Sequence, residues 1–382
     1  MDPNSTTANV PIKLNDASII NNNSQPPNPQ NVTSPPNYKL TIILIAIIVF
    51  AVILAFIFIL LFAILKVHKK DKIRTRVGNT NNRIPIILDV DEGGDDMIAY
   101  IVANNSKKFD ILGITTVSGN YYVEDVGKIW LRFLEYMNYD NKVYLGENHP
   151  LVRHTEPLTF SHNYGFELPT TTKTLETKGG VDFLYETIKN SDKKITLFGL
   201  GPLTNIAKLI QRDSSIINNI EEIIIMGGAK EEGNVEQNPK AEWNIYMDAE
   251  AAEIVFNCGL TIKTFGQETK MDFDDAFYQK LLDMNTRSSL FTYYAAKGTF
   301  ITWNDNWVYD PITVLYHLDN SIVDLNDYYV EVNTTNPDVN GTEYGSMYFY
   351  ETNGNPKVNV KYSDKLHLDK CYEVFESYLK LY

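Results

Sequence analysis

Cysteine is nearly missing from this chain. Among 382 residues there are two, Cys258 and Cys371, too few for a disulfide framework or a cysteine zinc set. Histidine is scarce too: six residues, scattered without ligand spacing, which argues against an imidazole metal centre. Positive charge is in deficit. The 34 Lys and Arg against 48 Asp and Glu leave a formal charge of −14, so no basic excess is available to neutralise phosphates and nucleic acid is not expected as a partner. No internal repeat is evident.

What is present divides the chain in four. Residues 1–39 are rich in Asn, Pro, Ser and Thr and read as a disordered tail. Residues 40–65, "LTIILIAIIVFAVILAFIFILLFAIL", carry no charge. At ~1.5 Å per residue such a run is long enough to span a ~30 Å hydrocarbon core as a tilted helix. Residues 66–83 form a basic linker with Lys66, Lys69, Lys70, Lys72, Arg74 and Arg76, against Lys39 alone before the run. The charge bias predicts a single-pass membrane protein, in contact with lipid through one helix, with its body in the cytoplasm.

The body, 84–382, alternates strand and helix patterns. "IPIILDV" is a short apolar run of the kind buried on both faces. "DDMIAYIVANN" and "VEDVGKIWLRFLEYM" have helical spacing, "FDILGITTV" reads as a strand between them, and "KKITLFGL", "IEEIIIMGGA" and "LTIKTFG" read as further strands. This order predicts an α/β fold: an open, mostly parallel sheet with helices on both faces and right-handed crossovers. Ligands of such sheets bind beyond the carboxyl ends of the strands. Polar or glycine-rich turns stand at five of those ends: 89–96, 118–120, 199–201, 227–228 and 266–268. They should converge on one rim.

The first of these turns is the most charged. "DVDEGGDD" puts four aspartates and a glutamate around two glycines. Capping and helix-dipole effects account for about two acids at a helix start. The remainder repel one another in a poorly hydrated site unless a cation is held there. Carboxylates, carbonyls and water suit hard ions, Ca²⁺ or Mg²⁺. An EF-hand is excluded, because Tyr100 stands where its bidentate Glu is needed. An aspartyl-phosphate phosphatase does not need both Asp95 and Asp96.

"DVDEGGDD" resembles the signature of the inosine–uridine preferring nucleoside hydrolases. The resemblance continues in order through "TTVSGN", "GPLTNIA", "IIIMGGA", "AEWNIYMDAEAA" and "YDP". It implies a Ca²⁺-dependent enzyme that cleaves ribonucleosides to ribose and free base. Asp91, Asp96 and Asp310 would bind Ca²⁺ with the carbonyl of Leu200, and Asp91 would take a proton from the attacking water. Asp95, Asn120, Asn234, Glu242 and Asn244 would bind the ribose. Asp89 would steady the turn.

Three departures from the family pattern stand out. Glu92 replaces a usual Pro, the gap from Asn234 to Glu242 is longer than usual, and Tyr309 stands where many members carry His before the last ligand. Tyr309 is therefore expected to stack on the base and favour purines, with Trp303, Trp307 and Tyr164 as second faces and His162 as a further candidate acid. A homo-oligomer fits the class. Two other readings compete: a membrane-anchored glycosyltransferase with an Asp-x-Asp metal site, and a nucleoside-binding homologue without turnover.

Overall fold

In the computed structural model the chain divides into two units, Met1–Arg76 and Val77–Tyr382. The structure describes residues 83–381 apart from 92, 154–156, 158–166, 304–305, 336–342 and 353–356, and, further upstream, residues 42–43 and 47–50.

The expected membrane placement is corrected by the upstream unit. Among the described residues no helix is long and apolar enough to cross a membrane. Within the 40–65 run the described residues, 42–43 and 47–50, are helical. The rest of the run, the 1–39 tail and nearly all of the linker lie outside the described residues. The single-pass assignment, its cytoplasmic orientation and the lipid contact are withdrawn.

The body is built on a nine-stranded sheet in the order β10-β9-β11-β6-β5-β4-β1-β2-β3. Its parallel strands are β1 (Ile84–Val90), β2 (Phe109–Thr116), β3 (Val143–Leu145), β4 (Ile195–Gly199), β5 (Ile220–Met226), β6 (Ile262–Phe265) and β11 (Val360–Leu366). At the far edge β9 (Val323–Val332) and β10 (Met347–Glu351) run antiparallel. A separate two-stranded pair joins β7 (Met271–Asp272) to β8 (Trp307–Val308).

Side chains alternate across a strand, and here both faces are dry. In β1, Ile86, Leu88 and Val90 enter one core while Ile87 enters the other. Helices Gly94–Ser106, Val123–Met137, Asp310–Leu318 and Leu368–Leu379 cover the first face. Helices Gly180–Lys189, Thr204–Arg212 and Ala249–Phe256 cover the second. Burial on both sides explains why the strands read as unbroken apolar runs. The antiparallel edge was not apparent from the sequence pattern. Its strands alternate with polar residues, as the exposed Asp324 and Glu331 of β9 show.

Strand β1 lies between β2 and β4. From it the chain first winds one way through β2 to β3, then the other way through β4 to β6. Such a reversal opens a crevice between the loops that leave neighbouring strands. The aspartate turn leaves β1 at that point.

Candidate active site

A cavity of about 440 Å³ opens at the crevice, within the size range of small-ligand sites. All ten site residues named from the sequence line it: Asp91, Asp95, Asp96, Asn120, Leu200, Asn234, Glu242, Asn244, Tyr309 and Asp310.

Asp91 is buried just past β1. Asn120, after β2, grips it twice: the backbone N–H donates to Oδ2 at 3.0 Å and Nδ2 to Oδ1 at 3.2 Å. Glycine is required around it. A Cβ on Gly119 would run into Asp91 Oδ2, and one on Gly201 would sit 2.7 Å from the Asp91 Cβ.

Asp96 opens the helix Gly94–Ser106 and accepts the Gly93 N–H at 2.5 Å. Asp95 Oδ2 accepts the backbone N–H groups of Tyr309 at 3.1 Å and Asp310 at 3.4 Å. The start of helix Asp310–Leu318 is thus tied to the start of helix Gly94–Ser106. Carboxylate oxygens of Asp95, Asp96 and Asp310 lie within 4.8 Å of one another. Asp95, assigned to ribose from the sequence, is here part of the tightest acidic triad.

Burial pushes the Asp310 carboxyl well above its ordinary range, and repulsion from Asp95, Asp96, Asp91 and Glu242 adds to it. The attraction of a divalent cation would offset both causes. This hard, all-oxygen donor set fits Ca²⁺ or Mg²⁺. The Leu200 carbonyl faces the same cavity and accepts Asn244 Nδ2 at 3.1 Å.

Glu242 is buried, and burial raises its carboxyl. It caps the short helix Trp243–Met247, accepting N–H groups from Asn244, Ile245 and Gly228. Asn244 bridges two strand ends through the carbonyls of Leu200 and Met226, at 3.1 and 3.2 Å. The long gap before Glu242 is taken up by a tight loop. Asn234 and Val235 both donate their N–H to the Ala241 carbonyl, and Asn234 Oδ1 accepts the Trp243 N–H at 2.8 Å. Asn234 therefore reaches the cavity despite the extra residues.

Asp89 does not line the cavity. It lies beneath, where Oδ1 accepts from Thr115 Oγ1 and, at 2.7 Å, from Asn205 Nδ2. Burial outweighs these bonds and lifts its carboxyl to about 7. Asn205 of "GPLTNIA" also bonds the Thr116 carbonyl and the Glu147 N–H, so it cross-links three strand ends.

The Tyr309 hydroxyl donates to Gln267 Oε1 at 3.0 Å. Trp307 and Trp243 also line the cavity. His317 bonds Glu222 at 2.8 Å and packs against Phe109 and Phe198, remote from the site. His154, His162 and Tyr164, the side chain of Trp303, and Glu92 lie outside the described residues. Sequence reasoning missed Trp243 as a cavity residue, although it sits inside the quoted "AEWNIYMD", and it placed the turn 266–268 at the rim without singling out Gln267.

These features can be compared with known proteins. An uncharacterized protein of Schizosaccharomyces pombe is 38% identical over 186 residues, 46% of this chain and 59% of that one. A protein of Arabidopsis thaliana named probable uridine nucleosidase 2 is 35% identical over 260 residues, 61% of this chain and 77% of that one. A solved structure, the purine-preferring ribonucleoside hydrolase from Gardnerella vaginalis, superposes with a TM-score of 0.68 at 25% identity, covering 78% of this chain and 98% of that one. The profile of the family described as inosine-uridine preferring nucleoside hydrolase matches residues 86–373, reaching past Asp319 into the antiparallel edge and the last helix. The glycosyltransferase reading falls with this match. On the fold, the cavity and the match together, the chain belongs to the inosine-uridine preferring nucleoside hydrolase family.

Proposed function

We propose that this chain hydrolyses the N-glycosidic bond of ribonucleosides, releasing ribose and the free base, with Ca²⁺ as its cation and a preference for purines. The observation that carries this reading is the acidic triad of Asp95, Asp96 and Asp310 at the floor of a cavity with aromatic walls.

Cleavage at C1′ builds positive charge on the ribose ring. Asp95, Asp96 and Glu242 supply fixed negative charge there, where little water screens it. Asp91, Asp96, Asp310 and the Leu200 carbonyl would hold the cation, which lowers the pKa of the attacking water and orients the sugar hydroxyls. Asp91 is the base that takes the proton from that water, oriented by both N–H groups of Asn120. Asn120, Asn234, Asn244 and Asp95 bind the ribose. Tyr309, with Trp243 and Trp307, offers ring faces to the base. A fused purine covers more of those faces than a pyrimidine, hence the expected preference. Relatives with purine and with uridine names occur alike, so base choice is set by local residues.

The test is direct. The full chain is stripped with chelator, then given Ca²⁺, and ribose is assayed from inosine, adenosine, guanosine, uridine and cytidine. Ca²⁺-restored release, fastest with purines, is the expected result. Full activity in chelator overturns the cation, and uridine as the best substrate overturns the purine preference. Binding without turnover would replace hydrolysis by a nucleoside-binding role.

A further inference from the structure

Gln267 leaves the end of β6 in a turn that is pinned on every side. Its N–H donates to the Gly228 carbonyl at 3.0 Å, and the Thr269 N–H closes the turn onto Gly266 at 3.0 Å. The neighbouring Glu268 carboxylate accepts the N–H groups of Lys230 and Glu231, both at 2.8 Å. Gln267 lines the cavity, and the residue is 8% exposed. Its Oε1 is occupied by the Tyr309 hydroxyl at 3.0 Å. Its Nε2 is buried and finds no hydrogen-bond partner among the described residues. Leaving a buried donor unmade is costly, and the amide oxygen is held by Tyr309, a residue expected to stack on the base.

We infer that Gln267 determines specificity at the base: Tyr309 fixes the amide so that Nε2 donates to an exocyclic oxo group of the leaving base. This inference rests on the hydrolase reading and deepens it. An amide N–H bonds a 6-oxopurine or a 4-oxopyrimidine. It meets the N–H₂ of a 6-aminopurine or 4-aminopyrimidine donor against donor. A site built to hydrogen-bond one group rejects the analogue that cannot accept. Stacking sets ring size, and Gln267 sets the substituent. Gln267 is a separate determinant from the acids that hold the ribose.

The experiment compares kcat/KM for inosine and adenosine in the full chain with Ca²⁺, for wild type, Gln267→Met and Gln267→Glu. The Met side chain keeps the length and loses the donor, so the inosine-to-adenosine ratio should fall about 10- to 100-fold. The Glu carboxylate accepts where the amide donated, so the ratio should move further toward adenosine. The rise in melting temperature on adding Ca²⁺ should be unchanged in both, which shows folded sites. If both substrates slow by one common factor, Gln267 only props Tyr309 and the inference fails while hydrolysis stands. If wild type releases no ribose from any nucleoside, the hydrolase reading fails and this inference with it.

Discussion

Asn120 holds Asp91 through two N–H groups, one from its backbone and one from its side chain, at 3.0 and 3.2 Å. Both carboxylate oxygens of Asp91 are thereby oriented from one residue in the turn that follows the neighbouring strand β2. A base held this way acts only in the geometry that Asn120 sets. Asn120→Ala should lower kcat for ribose release on the order of 10²-fold through misplacement. Asp91→Ala, which loses a proposed cation ligand together with the base, should cost more than the roughly 10²–10⁴-fold of general-base help alone. Steady-state assays with inosine decide it, and an Asn120→Ala enzyme with unchanged kcat would refute the orienting role.

The raised Asp310 carboxyl predicts a cation effect that needs no turnover to be seen. Burial and four acidic neighbours disfavour its charge. A cation bound to the native state alone stabilises it by about 2.7 kcal/mol at a hundred times its dissociation constant. Calorimetry of chelator-treated full chain should show a rise in melting temperature with Ca²⁺ that Asp310→Asn abolishes. Without metal the same variant should melt close to wild type, because burial and the acidic neighbours already disfavour the charge that it removes.

Tyr309 has two tasks that substitution can separate. Tyr309→Phe keeps the ring face and loses the bond to Gln267, so turnover of inosine should change mildly. Tyr309→Ala loses the face as well and should depress purine turnover sharply, by about tenfold or more. A Phe variant as inactive as the Ala variant points instead to proton donation by the hydroxyl.

Away from the site, Asp248 predicts a pH dependence of stability. It caps the helix Ala249–Phe256 and accepts from Ala251 N–H, Leu151 N–H and Thr204 Oγ1. Burial nevertheless lifts its carboxyl from the ordinary 3.8 to about 6. A raised folded-state value means that this contribution is full below about pH 4 and is lost as pH rises through about 6, up to ~3 kcal/mol in all. Urea unfolding between pH 4 and 7 should show the loss in wild type and not in Asp248→Asn. Parallel curves for the two proteins would contradict the assignment.

The aspartate turn, the glycines beside it and most strands and helices from 84 to about 265 were legible in the sequence, although the short strand β3 and the helix Gly180–Lys189 were not picked out. Their cause is local: doubly buried strands are apolar runs, and helix starts collect acids. The residue types that could hold a cation were legible for the same reason, since carboxylates this close in sequence are also close in space.

Other features depended on contacts between distant segments. That Asp95 joins Asp96 and Asp310 in the tightest triad follows from how helix Asp310–Leu318 docks on helix Gly94–Ser106. The antiparallel edge formed by β9 and β10 depends on pairing across residues 323–366. The apolar run at 40–65 suggested a span from composition alone, whereas among the described residues no helix is long and apolar enough to cross a membrane. For Gln267 the sequence offered only its place in the strand-end turn 266–268. Its burial, its bond to a tyrosine 42 residues away and its unmatched N–H arise only when β5, β6 and the Tyr309 turn meet at one rim, because hydrogen-bond partners are assigned by packing and not by spacing along the chain.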